Sequence, residues 1–211
     1  MGPASRGTPR LGLMGGSFDP IHWGHLHAAE AARAALNLEE VVFVPAARSP
    51  HKREPAAAAE HRYAMAVIAT AEHPAFSVSR VELERPEPSF TLDTLRHFRA
   101  SRLPTPEVAF ILGADALGEV ETWHRYRELA AECFFVAVNR PGYPLDRSSA
   151  ELTPGLAARV ERVEMPEIGI SASEIRRRLA VGQSIRYWTP EGVHAYIAKH
   201  GLYREPPAAG G

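Results

Sequence analysis

Short apolar runs separated by helical stretches recur along the chain: Leu11–Met14, Val41–Ala46, Phe76–Leu83, Val108–Gly113, Phe134–Val138 and Arg159–Met165. Between them the pattern predicts helices near 24–36, 58–72, 91–101, 122–132 and 171–181. Runs this apolar suit strands covered on both faces, and strands alternating with helices imply crossover connections. The expected fold is therefore doubly wound α/β, a mostly parallel sheet with helices on both faces and a small helical C-terminal part from about residue 171. In such a sheet ligands sit outside the carboxyl ends of the strands, where the strand order reverses.

Punctuation sharpens this outline. Asn37 is a suitable stop for the helix over 24–36, and the alanine-rich stretch after Pro55 reads as a loop running into a helix. Ser171 and Glu174 have capping-box spacing, with Gly182 to close the helix they open. Thr189 as cap, Pro190 at the first helical position and Gly201 as stop define a last helix. The 211 residues suit one domain over 10–203, with tails at 1–9 and 204–211 that have little to bury.

A formal net charge of −1 gives no bulk attraction to nucleic acid, so any handling of phosphate must rest on locally placed groups. The single cysteine, Cys133, permits no intrachain disulfide, fits a reducing cytosol and reads as a buried strand residue rather than a nucleophile. No apolar stretch approaches the ~20 residues needed to span a bilayer, and the first residues lack a secretory h-region. The expectation is a cytoplasmic protein with no membrane partner.

The candidate chemistry lies at strand exits. Met14 to Leu26, MGGSFDPIHWGHL, joins a glycine-rich strand end to His22 and His25 at the mouth of a helix. Gly15 and Gly16 would let the backbone turn close to a ligand, Ser17 offers a hydroxyl, and unpaired amides of the helix start favour an anion. A zinc reading of the two histidines is weaker, because neither HExxH nor Cys-x-x-Cys accompanies them. The loop PAARSPHK, with Arg53 just after it, carries Arg48, His51 and Lys52, either a solvated basic loop or a reach toward phosphate. Thr91 reads as a helix cap with Asp93 favourable in the first turn. Gly113 permits close approach, Asp115 can accept from a ribose hydroxyl, and Trp123 opens an amphipathic segment, where a tryptophan is usually core. Ser171 or Ser173, the open helix amides and Arg176 can make a second anion site, whereas Arg177 and Arg178 read as a solvated helix face or as packing on acidic neighbours.

The order strand, Gly-Gly-Ser, Asp-Pro, His-x-Gly-His, helix resembles the signature of the nucleotidyltransferase superfamily that includes class I aminoacyl-tRNA synthetases, and the fuller string GGSFDPIHWGHL is similar to that of nicotinate-nucleotide adenylyltransferases. The resemblance spans roughly residues 11 to 182 and five motifs. Phe90 stands where the family's SYTxDTL element has tyrosine, and Ser173 where ISATEIR has threonine. It implies a Rossmann-like fold and adenylyl transfer from ATP to nicotinate mononucleotide, giving deamido-NAD and pyrophosphate. His22, His25 and Arg176 would be catalytic. ATP would meet Gly15, Gly16, Ser17, Phe18, His22, His25, Gly113, Asp115, Ser171, Ser173 and Arg176. The mononucleotide would meet Ser17 and Lys52 at its phosphate, amides around Thr91 at its carboxylate, and Trp123 at its ring. Mg²⁺ is expected with ATP and without dedicated protein ligands. Self-association into a homo-oligomer is left open, as are preference for the nicotinamide mononucleotide and a noncatalytic nucleotide-binding role. Phosphopantetheine offers no ring for Trp123, and the absence of GxGxxG and GxxxxGK[ST] argues against dinucleotide-dependent oxidoreductases and P-loop enzymes.

Overall fold

The computed structural model describes residues 10–47, 54–85, 88–102, 107–139, 142 and 152–204. Among them six strands form one sheet: β1 (Arg10–Gly16), β2 (Glu40–Pro45), β3 (Phe76–Val78), β4 (Glu107–Gly113), β5 (Phe134–Val138) and β6 (Val160–Val163). The order is β3-β2-β1-β4-β5-β6 and all five pairings are parallel, so the sheet is purely rather than mostly parallel. This is the doubly wound Rossmann order, which reverses between β1 and β4.

Alternation along each strand sends side chains to two cores. Met14, Val41, Phe43, Ile111 and Val136 pack with α1 (Trp23–Leu36), α2 (Ala59–Thr70), α7 (Ala172–Ala180) and α8 (Glu191–His200) on one face. Leu13, Val42, Val44, Phe110 and Phe135 pack with α3 (Thr91–Ala100), α4 (Ala114–Leu117) and α5 (Tyr126–Glu132) on the other. The short α6 (Pro154–Ala157) precedes β6. Every residue of β5 is buried, as its unbroken apolar run requires.

Several expected boundaries move, each for a local reason. The strand expected over Phe76–Leu83 ends at Val78, because the Ser79 hydroxyl accepts from the Val81 amide at 3.2 Å and turns the chain. The helix expected over 122–132 is broken: a 3₁₀ turn spans Val120–Thr122, and Arg125 adopts a left-handed φ of 55° before α5 begins. Thr189 is not the cap of α8; Pro190 is, and the Thr189 hydroxyl donates to the Pro190 carbonyl. Ser171 caps α7 by accepting from the Glu174 amide, but the Glu174 carboxylate turns to Arg177 at 2.6 Å instead of completing the box. Asn37, Gly182 and Gly201 do close their helices with φ of 51°, 71° and 61°. Of the two expected tails, 1–9 and 205–211 lie outside the described residues.

Candidate active site

Pairing geometry opens the crevice. β1 stays in register with β2 to Gly16↔Pro45, and β4 with β5 to Gly113↔Val138, yet β1 and β4 pair only as far as Leu13↔Phe110. Beyond that point the two central strands part, and a cavity of about 260 Å³ lies between their carboxyl ends. Gly15, Gly16, Ser17, His25, Thr91, Gly113, Asp115 and Trp123 all line it. Phe18, His22, Ser171, Ser173 and Arg176 do not. Lys52 and its neighbours Arg48, His51 and Arg53 lie outside the described residues.

Gly15 and Gly16 do not make the expected turn. Both remain in β1, and the left-handed residue is Phe18, with φ 47°. A Cβ at Gly15 would meet the Phe110 ring at 3.3 Å, and one at Gly16 the Phe18 ring at 3.1 Å, so these glycines are needed for close approach. Phe18 itself is core: it is 1% exposed and packs on Phe43 at 5.8 Å and edge-on to His25 at 5.2 Å. Its ring is therefore a support for His25 rather than an ATP contact, which leaves only its main chain for that role.

The two histidines build the start of α1. The buried His22 is the cap, its Nδ1 accepting from the Gly24 amide at 3.1 Å, while the His22 amide donates to His25 Nδ1 at 3.2 Å. The rings lie 3.9 Å apart. With both Nδ1 atoms accepting, the neutral rings carry their protons on Nε2, and each is a donor there.

Two charged side chains that sequence reasoning passed over hold this loop. The Asp19 carboxylate, 3% exposed, accepts from the Ala56 and Ala57 amides at 2.7 and 3.1 Å and from the Tyr203 hydroxyl at 2.8 Å. Arg62, 1% exposed, donates to the carbonyls of Ser17 and Ala46, both at 2.7 Å, and of Ala47 and Ala57, both at 3.1 Å. Burial pulls the Arg62 pKa down, opposed by the Asp19 charge. Arg176 reaches from α7 to the same loop, Nη1 donating to the Asp19 carbonyl at 2.6 Å. The Ser171 and Ser173 hydroxyls lie 3.1 Å apart at the start of α7, beside the α1 entry: the Ile170 carbonyl is 3.6 Å from where a Gly24 Cβ would stand. Arg177 and Arg178 both pair with Glu174; Arg177 is exposed, whereas the half-buried Arg178 lies over the Trp188 ring at 4.5 Å.

At the far wall Thr91 is not a cap but the first residue of α3; Phe90 takes the cap position, and no side chain caps the helix. Phe90 stacks on His124 at 4.1 Å, and Trp123 stands edge-on to Phe110 at 5.7 Å. Trp123 is half-buried, touching the core and the cavity at once. Glu82, also at the wall, has its pKa raised by burial, against a 2.8 Å hydrogen bond from the Thr94 hydroxyl. Asn139 closes the β5 side by exchanging hydrogen bonds of 3.0 and 2.7 Å with Met165 main-chain groups. Asn139 and Glu82 carry no motif spacing; only the fold brings them here.

A doubly wound sheet whose reversal point holds an HxGH helix entry, with a second capped helix beside it, defines a nucleotidyltransferase. The cytidylyltransferase-like family pattern matches residues 13–178. A probable nicotinate-nucleotide adenylyltransferase of Thermus thermophilus is 54% identical over 196 residues, covering 92% of this chain and all of that protein. One from Moorella thermoacetica is 45% identical over 199 residues, covering 92% of each. The fold matches the Plasmodium falciparum nicotinic acid mononucleotide adenylyltransferase complexed with NaAD, with TM-score 0.76 and 22% identity over 92% of this chain and 97% of that one. The chain belongs to the nicotinate-nucleotide adenylyltransferase family of nucleotidyltransferases.

Proposed function

We propose that the chain transfers the adenylyl group of ATP to nicotinate mononucleotide, giving deamido-NAD and pyrophosphate in NAD biosynthesis. The observation that carries this reading is the parting of β1 and β4. It brings the Gly15–Ser17 strand exit, His25, Gly113, Asp115 and the uncapped start of α3 with Trp123 to one cavity.

The acceptor's 5′-phosphate oxygen attacks the α-phosphorus of ATP in line. The bond to the bridging oxygen of the β-phosphate breaks, and pyrophosphate leaves with that electron pair. No protein nucleophile is needed, since the acceptor is already an anion and catalysis rests on alignment and charge stabilisation. Donors at His22 and His25 Nε2 and the Arg176 guanidinium would stabilise charge on the transferring group and leaving phosphates. The adenosine would lie along Gly15–Phe18, Gly113 and Asp115, with phosphates toward Ser171, Ser173 and Arg176. The uncapped Thr91 end of α3 would receive the acceptor carboxylate, Trp123 would stack on its ring, and Ser17 and Lys52 would hold its phosphate.

Mg²⁺ carried on ATP would add charge neutralisation. A hydrated ion on phosphate oxygens needs no protein cage, and among the described residues no group of three His, Cys, Asp or Glu could hold a metal. No helix among them is long and apolar enough to cross a membrane; a cytoplasmic location and a single domain over 10–203 suit the reading. The test is pyrophosphate release from ATP with nicotinate or nicotinamide mononucleotide side by side. Turnover favouring the nicotinate form is expected; no turnover, or preference for the amide, would overturn it.

A further inference from the structure

The last described turn of the chain reaches back to the nucleotide loop. Tyr203, at a left-handed φ of 65°, donates its hydroxyl to Asp19 Oδ1 at 2.8 Å, a contact spanning 184 positions in sequence. Asp19 Oδ1 also accepts from the Ala57 amide, and Oδ2 from the Ala56 amide. Three neutral donors therefore occupy this buried carboxylate. Arg176 Nη1 sits 2.6 Å from the Asp19 carbonyl but 3.7 Å from Oδ2, beyond a close charge-assisted contact. An arginine beside a buried carboxylate would ordinarily close on it in a bidentate pair, with its donors turned inward.

We propose that Tyr203 is a positioning residue: by donating to Asp19 Oδ1 beside the two amides it weakens the pull of this carboxylate on Arg176, which stays on the main-chain carbonyl with the rest of its guanidinium left to grip the phosphates of ATP. This rests on the reading of Arg176 as a phosphate ligand given above. Among the described residues Arg176 has no further hydrogen bond, and its side chain is 35% exposed. Burial and the neighbouring Asp19 charge hold the Tyr203 phenol well above its ordinary pKa, so it remains a donor. Without that donor Oδ1 would keep one amide, and the under-satisfied carboxylate would draw Arg176 in and away from the nucleotide.

The test is steady-state kinetics of Tyr203→Phe, alone and combined with Arg176→Ala, with each substrate varied in turn. Tyr203→Phe should raise KM for ATP about fivefold, the scale of one net hydrogen bond, and leave KM for the mononucleotide unchanged. In the Arg176→Ala background it should have no further effect on ATP. The double variant Asp19→Asn/Tyr203→Phe keeps the inference open to test if Tyr203→Phe does not fold: with no carboxylate to capture Arg176, its KM for ATP should stay near the wild-type value, and a rise there would overturn the inference. An unchanged ATP KM, an equal rise for both substrates, or the same rise with and without Arg176 would overturn the inference. Wild-type protein without adenylyl transfer would instead overturn the functional reading, so the two failures are distinguishable.

Discussion

Gly24 lies directly under the His22 imidazole: its amide donates to Nδ1 at 3.1 Å, and a Cβ at this position would stand 3.0 Å from Cε1 and 3.1 Å from Nδ1. The glycine of the HxGH string is thus a steric requirement of the histidine before it. Its backbone lies in helix α1 and needs no special φ. Two effects compete in Gly24→Ala. Alanine gains up to about 1 kcal/mol of helix propensity, while overpacking costs about 1–3 kcal/mol. The second wins, and the movable group is the His22 ring. The variant should lose at most about 2 kcal/mol of stability but fall at least tenfold in kcat, the tenfold being equivalent to ~1.4 kcal/mol of transition-state stabilisation. Comparing kcat with a urea melt checks it; an active Gly24→Ala would show that the ring position is not critical.

Arg62 predicts the opposite balance, a stability effect first. Its guanidinium is buried and fixes four carbonyls across three segments of chain. Arg62→Met would leave these acceptors without their donors at about 1–3 kcal/mol each where water cannot reach. Relief of the buried charge returns part of that, so a net loss of about 2–4 kcal/mol is expected. Lysine has a point charge without the planar fork, so Arg62→Lys should recover only part of it. Thermal melts of the two variants beside the wild type decide this, and a Met variant as stable as the wild type would refute it.

Such residues also mark where the sequence stopped being informative. The strand and helix succession was legible because apolar runs of buried parallel strands carry their own signature, and His22, His25, Asn37 and Ser171 act through neighbours two to four positions away. Arg62 looked like any polar residue of an alanine-rich helix. Its partners lie up to 45 positions off, and Asp19 meets Tyr203 across 184. Thr91 departs from the expected cap by one position for a local reason: Phe90 holds the extended cap conformation and Thr91 is already helical. Glu82 and Asn139 reach the cavity only because β1 and β4 part, a feature of register that no local pattern records.

Cys133 should be chemically silent and alkali-sensitive in a defined direction. The thiol is buried, donates to the Leu129 carbonyl at 3.3 Å, and is pushed up by burial to about 12 from an ordinary 9.0. Because the folded pKa is raised, its stabilising contribution is full below the unfolded value and is lost as pH climbs from 9.0 toward about 12. The slope is at most about 1.4 kcal/mol per pH unit. Cys133→Ala lacks this proton linkage, so its stability deficit relative to the wild type should narrow across that window. Urea melts of both proteins at stepped pH test this; a constant gap would rule out the linkage, and iodoacetamide labelling of the native thiol would rule out its burial.

Trp123 must satisfy two demands at once. One is its edge-on contact with Phe110 at 5.7 Å, part of the core around β4; the other is its place on the cavity wall beside Phe90 and Thr91. A fully buried tryptophan truncated to alanine costs about 3–5 kcal/mol. Trp123 is half-exposed, so Trp123→Ala should lose roughly half of that in stability. If its open face stacks on the acceptor ring, the same variant loses about 0.5–1.5 kcal/mol of acceptor binding. That raises KM for the mononucleotide roughly 2- to 13-fold, since 1.4 kcal/mol is about tenfold, while KM for ATP stays unchanged. Trp123→Phe keeps a ring and should restore much of the mononucleotide KM while recovering less of the melting temperature. The decisive comparison is both KM values against the melting temperature in the two variants. A lowered melting temperature with an unaltered mononucleotide KM would leave Trp123 a core residue and nothing more.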